Sequence, residues 1–364
     1  MTYTINEVID QLVVSNNKSS DIKEKILLLI NTNDSSSSNL WYINMLIVIS
    51  GWLAVIPFFI FFHIAGFLNN AQMSLFTGFI LICLTVIIHY FNKKILFVNH
   101  LNLALNYTGQ IVLFNGIALY TNGLKIPSIC LLLIQIVLSI IYNEKILRFI
   151  CVIIATISMI LILYSFKLFQ DIHIIIFLLS LTVTLIWTFE KKILLNKYLV
   201  DLYKPFSYGF AISLLLVLIF SVLPEIDEFS RVKWLYSSFL LSIILILLEA
   251  HLLNNNKIKL SSMLSLLTFF SSLIICALFY KSPGIIGAFI ILLISFNALD
   301  RLLTGISILF LTAFFIIFYY NLEISLLSKS ISLMCSGLFL LFIRFIWLKY
   351  FYILKEEKII CVQK

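Results

Sequence analysis

Charge is scarce in this chain. Only 12% of its 364 residues are Asp, Glu, Lys or Arg, about half the share a water-soluble domain uses to clothe its surface. That shortfall excludes a globule solvated by water alone, so lipid must cover most of the surface. Glycine and proline are few, at 11 and 5. This fits continuous apolar helices better than a transmembrane barrel, which would alternate polar and apolar residues over segments of ~10. The six cysteines form no C-x-x-C pair, and five lie inside apolar runs, where the thiol behaves as a small hydrophobe. No disulfide framework or zinc site is indicated. There is no Walker loop, no G-x-S-x-G and no H-E-x-x-H. A Thr-Val-Gly-Tyr-Gly filter, an Arg-rich voltage-sensing helix and the Gly-Asp-Arg hinge of major-facilitator transporters are absent too. These absences leave no catalytic residue, cofactor-binding residue or metal ligand to name, and the chain is expected not to be an enzyme.

What is present is oil. Hydrophobic residues make up 62%, Phe alone occurs 33 times, and the mean hydropathy is +1.10. The apolar runs are unbroken, as in LLLVLIFSVL and FLLSIILILL. The net charge of +8 does not indicate nucleic acid, because basic residues that bind it gather on one domain or stripe. Here they sit in short hinges between apolar runs, where the positive-inside rule places them. The first strong run begins near Ile43, too late for a secretory signal, and reads as the first membrane helix.

The runs predict an all-α, polytopic transmembrane bundle of about twelve spans. The expected helices are Ile43–Leu68, Ser74–Tyr90, Leu101–Tyr120, Ile126–Tyr142, Ile146–Phe166 and Ile172–Phe189. Six more are Phe206–Leu223, Trp234–Leu253, Leu260–Tyr280, Gly284–Leu299, Leu302–Tyr320 and Leu326–Trp347. Hinges such as FNKK, TNG, YNEK, KSPG and NALDR carry a breaker or a charge. The organisation expected is a tail with a Ser/Asn linker over 1–40, a bundle over 41–348 and a second tail over 349–364. The inner loop 190–205 divides the bundle into six plus six by hydropathy, without repeated motifs. In the first tail, Thr4 and Glu7 form a capping box ahead of Ile5, Val8, Ile9, Leu12 and Val13 at helical spacing. A second short amphipathic helix is expected near Asp21.

Orientation follows from the basic residues. With twelve spans and the amino terminus in the cytoplasm, 19 of the 25 Lys and Arg fall on the inner side. The outer loops keep only Lys125, Lys167, Arg231, Lys233, Lys281 and Lys329. Both termini are therefore expected to be cytoplasmic.

The last third carries a resemblance. SPGIIGAFIILLISF from Ser282, then ALDRLLTGISIL, then FFIIFYYNLEISLLSKSISLMCSGLFLLFIR to Arg344 show a Pro-Gly opening and an arginine-bearing short hinge. Tyr-Tyr-x-Leu, Leu-Leu-x-Lys-Ser and a later Gly follow, here Tyr319, Tyr320, Leu322, Leu326, Leu327, Lys329, Ser330 and Gly337. The stretch resembles the bacterial membrane family called domain of unknown function 4401. Trp41–Ala54 and Gly109-Gln110 match it more weakly. The resemblance implies a multi-pass protein of the bacterial inner membrane and a complex with other membrane proteins. It brings no activity, cofactor or catalytic residue.

Polar residues inside lipid are costly, so each is a functional candidate. No Asp or Glu falls near a predicted helix centre; Glu249 and His251 sit in the last turns of the eighth helix. The third helix is the most polar, with Asn102, Asn106, Thr108, Gln110 and Asn115. Asn102, Asn106 and Gly109 share one face, which must meet other helices or a wet cavity. The candidates are Asn106, Gln110, Arg301, Tyr319, Tyr320 and Lys329, the last able to reach the headgroups, Glu323 or Tyr320. Gly284 and Ala288 form a small-x-x-x-small pair suited to close helix contact. His63 lies near the outer end of the first helix, and His89, His100 and His173 are expected at interfaces, without ligand spacing for a metal. Two functions stay open: a membrane subunit or scaffold acting through partner proteins, or a permease or flippase for a small or lipid-like substrate. Membrane lipids and a membrane-protein partner are the expected contacts. A solid apolar interior favours the first, and a wet cavity at Gln110 favours the second.

Overall fold

The computed structural model describes residues 41–91, 96–196, 199–221, 232–259 and 262–321, with isolated positions between 327 and 345. The expected tail helices and the two tails themselves lie outside the described residues, as does most of the expected twelfth helix. Among the described residues every regular element is helical. Six helices are long and apolar enough to cross a membrane, and four shorter apolar helices accompany them. The chain divides into two compact units, residues 1–120 and 121–364. This division by contact falls after the third expected span, whereas the six-plus-six division rests on hydropathy.

The first unit holds α1 (Trp41–Leu53), α2 (Val55–Ile64), α3 (Ala71–Phe91) and α4 (Leu96–Thr121). The first expected span is thus not one helix. It is interrupted at Ala54, because Pro57 lacks the N–H that would bond the carbonyl of Leu53, and it ends at Ile64, just before Gly66 at φ +76°. Asn70 opens α3, its side chain accepting from the N–H of Gln72 at 2.9 Å. Helix α4 is 26 residues long, yet its amides keep it outside the six candidate spans.

Helices α3 and α4 touch backbone to backbone. A Cβ on Gly78 would stand 2.5 Å from the amide nitrogen of Leu113, and one on Gly116 would stand 2.6 Å from that of Leu75. The Ser74 hydroxyl donates to the carbonyl of Val112 at 2.7 Å. Gly51 of α1 sits against His100 of α4, and the rings of Trp52 and Tyr107 stack at 5.8 Å. His100, in the second turn of α4, is buried.

The second unit runs α5 (Lys125–Ile141), α6 (Lys145–Phe166), a short 3-10 turn (Phe169–Asp171), α7 (Ile172–Thr188), α8 (Glu190–Leu194) and α9 (Val200–Ile219). It continues with α10 (Leu235–Asn255), α11 (Met263–Leu278), α12 (Pro283–Ala298) and α13 (Arg301–Asn321). Helix α9 lies at the centre, packing on α6, α7, α12 and α13. The expected inner loop 190–205 is shorter than its composition suggests, since α8 and the first turns of α9 occupy much of it. Pro205 is inside α9, where it removes only the bond to the carbonyl of Asp201 near the exposed end. The interior is filled by Ile176, Leu214, Leu215, Leu218, Leu241, Leu245, Ile286, Ile290 and Ile291, each 0% exposed. Gly287 admits the end of Leu218, and Gly284 receives the ring of Phe314 on α13. At one end the buried Arg148 donates through Nε to the carbonyl of Ser139 at 3.2 Å. It satisfies a last-turn carbonyl of α5, where a cation also meets the negative end of the helix.

Candidate functional site

Three polar assemblies stand among the packed helices. The first is a ladder between α3 and α4. The Thr85 hydroxyl donates to the carbonyl of Ile82 at 2.8 Å and accepts from Nδ2 of Asn106 at 2.8 Å. Nε2 of Gln110 donates to Oδ1 of Asn106 at 2.7 Å. Nδ2 of Asn102 donates to the carbonyl of Thr85 at 2.9 Å. All three amide side chains are at most 4% exposed. Gly109, on the same face, lies against Leu81, Ile82 and the carbonyl of Gly78. The polar face of the third helix therefore meets α3, and Asn106 and Gln110 are joined in one network. Thr85 is its centre and was invisible from sequence, since a lone Thr in an apolar run is common. Replacing Thr85 with valine should lower stability by about 0.5–2 kcal/mol, the cost of stranding a donor of Asn106. Thermal melting in detergent measures this, and adding Asn106→Leu should cost less than the two single losses combined.

The second assembly is a knot at the α12–α13 hinge. Oδ1 of Asp300 accepts from the N–H groups of Leu302 and Leu303, both at 3.0 Å, and so caps α13. Oδ2 accepts from the Tyr208 hydroxyl of α9. The Thr304 hydroxyl donates to the carbonyl of Asp300 at 2.7 Å. A groove of about 410 Å³ opens beside it, lined by Lys145, Phe149, Lys204, Tyr208 and Leu302. Sequence reasoning chose Arg301 at this hinge, but Arg301 is exposed while its neighbour Asp300 makes the bonds. The capping aspartate before an apolar run was the legible signal.

The third assembly is a carboxyl in the bundle. Glu249 is 8% exposed, and the Ser272 hydroxyl of α11 donates to its Oε1. Oε2 has no hydrogen-bond partner among the described residues. Six residues separate Glu249 from the end of α10, about 9 Å at 1.5 Å per residue. It stands within the last two turns of α10, as the sequence places it. Nδ1 of His173, buried in the first turn of α7, lies 2.6 Å from the Ser237 hydroxyl. Among the described residues no group of three or more His, Cys, Asp or Glu is placed to hold a metal.

A family model described as domain of unknown function 4401 matches residues 40–350. The chain belongs to this family. No curated protein and no solved structure matches it. The residues of the family pattern now have positions. Pro283 opens α12 at its first turn, where its missing N–H costs nothing, and Gly284 follows against Phe314. Arg301 begins α13, and Tyr319 and Tyr320 end it with their rings edge to face at 5.7 Å. Arg301 and the Tyr319-Tyr320 pair thus mark the two ends of one helix, about 27 Å apart by helical rise. Lys329 lies outside the described residues.

Proposed function

We propose that this family member is a multi-pass subunit of a bacterial inner membrane that works through partner membrane proteins. The observation that carries this reading is the filled apolar interior of the second unit, where Ile and Leu side chains of α7, α9, α10 and α12 close on one another. Consistent with it, the amides of Asn106 and Gln110 hold α4 to α3. Membrane lipids are its other contact. Large apolar side chains such as Phe76, Phe79, Phe239, Phe270 and Leu309 are more than half exposed, which in water would be untenable and in lipid is the ordinary outer surface. Each groove rimmed by two lysines has an apolar wall: Lys145 and Lys204 at one, Lys125 and Lys167 at the other.

The proposed topology has twelve spans and both termini in the cytoplasm, supported by the basic-residue asymmetry. A fluorescent protein fused after Lys364 should fold and shine, and alkaline phosphatase fused after Lys281 should be active. The opposite pair of results would reverse the orientation. The subunit reading is tested by extraction in mild detergent and native mass spectrometry. The expected result is a defined assembly of the 42.0 kDa chain with a stoichiometric membrane protein. A bare monomer carrying only lipid would refute it. The second reading, a permease or flippase for a small or lipid-like substrate, is favoured by one observation, the buried Glu249 carboxyl, because carriers coupled to ions use such groups.

A further inference from the structure

The seam between α10 and α11 holds more polar atoms than packing requires. Ser265, Thr268, Ser272 and Cys276 recur along one side of α11, while Ser242 and Glu249 stand seven residues apart on α10. Most of these hydroxyls are spent on their own helix: Ser242 donates to the carbonyl of Ser238 at 2.7 Å, and Thr268 to that of Ser265 at 2.8 Å. Ser272 instead reaches across the seam to Glu249. Cys276 lies beside Ser242, within electrostatic reach of Glu249.

Among the described residues the carboxyl has no countercharge. No basic side chain pairs with it among the described residues, and one oxygen is left open. An isolated carboxylate in an apolar interior is too costly to persist, so something positive must accompany it. Among the described residues, the helices packed around it offer nothing that does. Helix α12 has no titratable residue, and α7 offers only His173, bonded to Ser237 near the far end of α10. Helix α11 offers Cys276 alone. On α10 itself His251 turns elsewhere, its ring against Phe189 and its Nε2 3.0 Å from Asn255. Helix α11 packs chiefly on α10 among the described elements, so its side chains face the site across that seam.

We propose that Glu249 and Ser272 form a binding site for a monovalent cation, a proton or a sodium ion, between α10 and α11. The open Oε2 is the position the cation takes, while Ser272 holds Oε1 of the same carboxyl. This goes beyond the subunit reading and stands whether or not a partner is found.

The test uses the full chain in detergent. A cation that binds only the folded protein stabilises it by mass action, so removing the cation lowers the melting temperature. For the wild type, raising the pH from about 6 to about 9 without sodium should lower melting by several degrees more than in Glu249→Gln, whose amide needs no cation. Adding about 0.1 M NaCl at the higher pH separates the two ions: recovery identifies sodium, and no recovery identifies the proton. The Glu249→Asp variant keeps a carboxyl and should keep the dependence, which preserves the test if the amide variant does not accumulate. Labelling with dicyclohexylcarbodiimide, which attacks protonated carboxyls, gives a second readout by peptide mass spectrometry. Adduct at Glu249 should form faster at low pH, and sodium should suppress it only if sodium binds. Melting curves of wild type and Glu249→Gln that shift together with pH, with no response to sodium, would overturn the site.

Discussion

Replacing Gly78 by alanine is expected to part α3 from α4 and to cost the protein about 3 kcal/mol or more, at the upper end of overpacking losses. The added methyl would stand 2.5 Å from the amide nitrogen and 2.7 Å from Cα of Leu113. Those are backbone atoms of a helix, so no side-chain rotation relieves the clash. The helices must separate, and separation stretches every bond across the pair: Ser74 to Val112, Asn106 to Thr85 and Asn102 to Thr85. Gly116→Ala should behave similarly, because its methyl would lie 2.6 Å from the amide nitrogen of Leu75. Gly305→Ala is the control. Nothing lies within 4 Å of that position, so the change should be neutral or stabilise by up to about 1 kcal/mol through helix propensity. Melting temperatures of the three purified variants decide the matter. Equal melting of Gly78→Ala and wild type would show that α3 and α4 do not pack at this distance.

Asp300→Ala is expected to cost about 2–3 kcal/mol, combining a lost cap with a lost acceptor for a buried-end hydroxyl. The first turn of α13 loses the acceptor of the Leu302 and Leu303 N–H groups, and Tyr208 on α9 loses its partner. Tyr208→Phe removes only the last of these and should cost about 1 kcal/mol. In a double-mutant cycle the pair should be non-additive, because the Tyr208 term is counted in both single changes. Additive losses in the melting measurements would mean that Asp300 acts as a cap alone. Arg301→Ala, beside it, should change little, since the side chain is exposed.

Helix limits and the two prolines inside apolar segments show where the sequence is legible and where it is not. The helices were legible because runs such as FLLSIILILL leave the backbone no hydrogen-bond partner in lipid except itself, and α10 starts one residue from its expected position. Proline cut in two different ways. At Pro57 it broke a span that hydropathy reads as continuous, whereas at Pro205 it sits inside a helix that hydropathy starts later. The outcome depends on which carbonyl loses its partner and whether that carbonyl is near an exposed end. Of the candidate residues, Asn106 and Gln110 were found by the rarity of amides in lipid, and the structure ties them together. The opposing Thr85 and the spacing Ser74-x-x-x-Gly78 were equally present in the sequence but indistinguishable from ordinary apolar-helix composition.

Composition and hydropathy by themselves determined that the chain is helical and that several of its helices are long and apolar enough to cross a membrane, since those follow from each residue's own transfer energy and from the backbone's need to bond within a helix. Only tertiary structure decided which polar groups meet. It placed Asp300 rather than Arg301 in contact with α9, set Thr85 under Asn106, and left one oxygen of Glu249 open beneath α11. Such contacts depend on the relative rotation and separation of helices, which every apolar side chain helps to set and no single segment encodes.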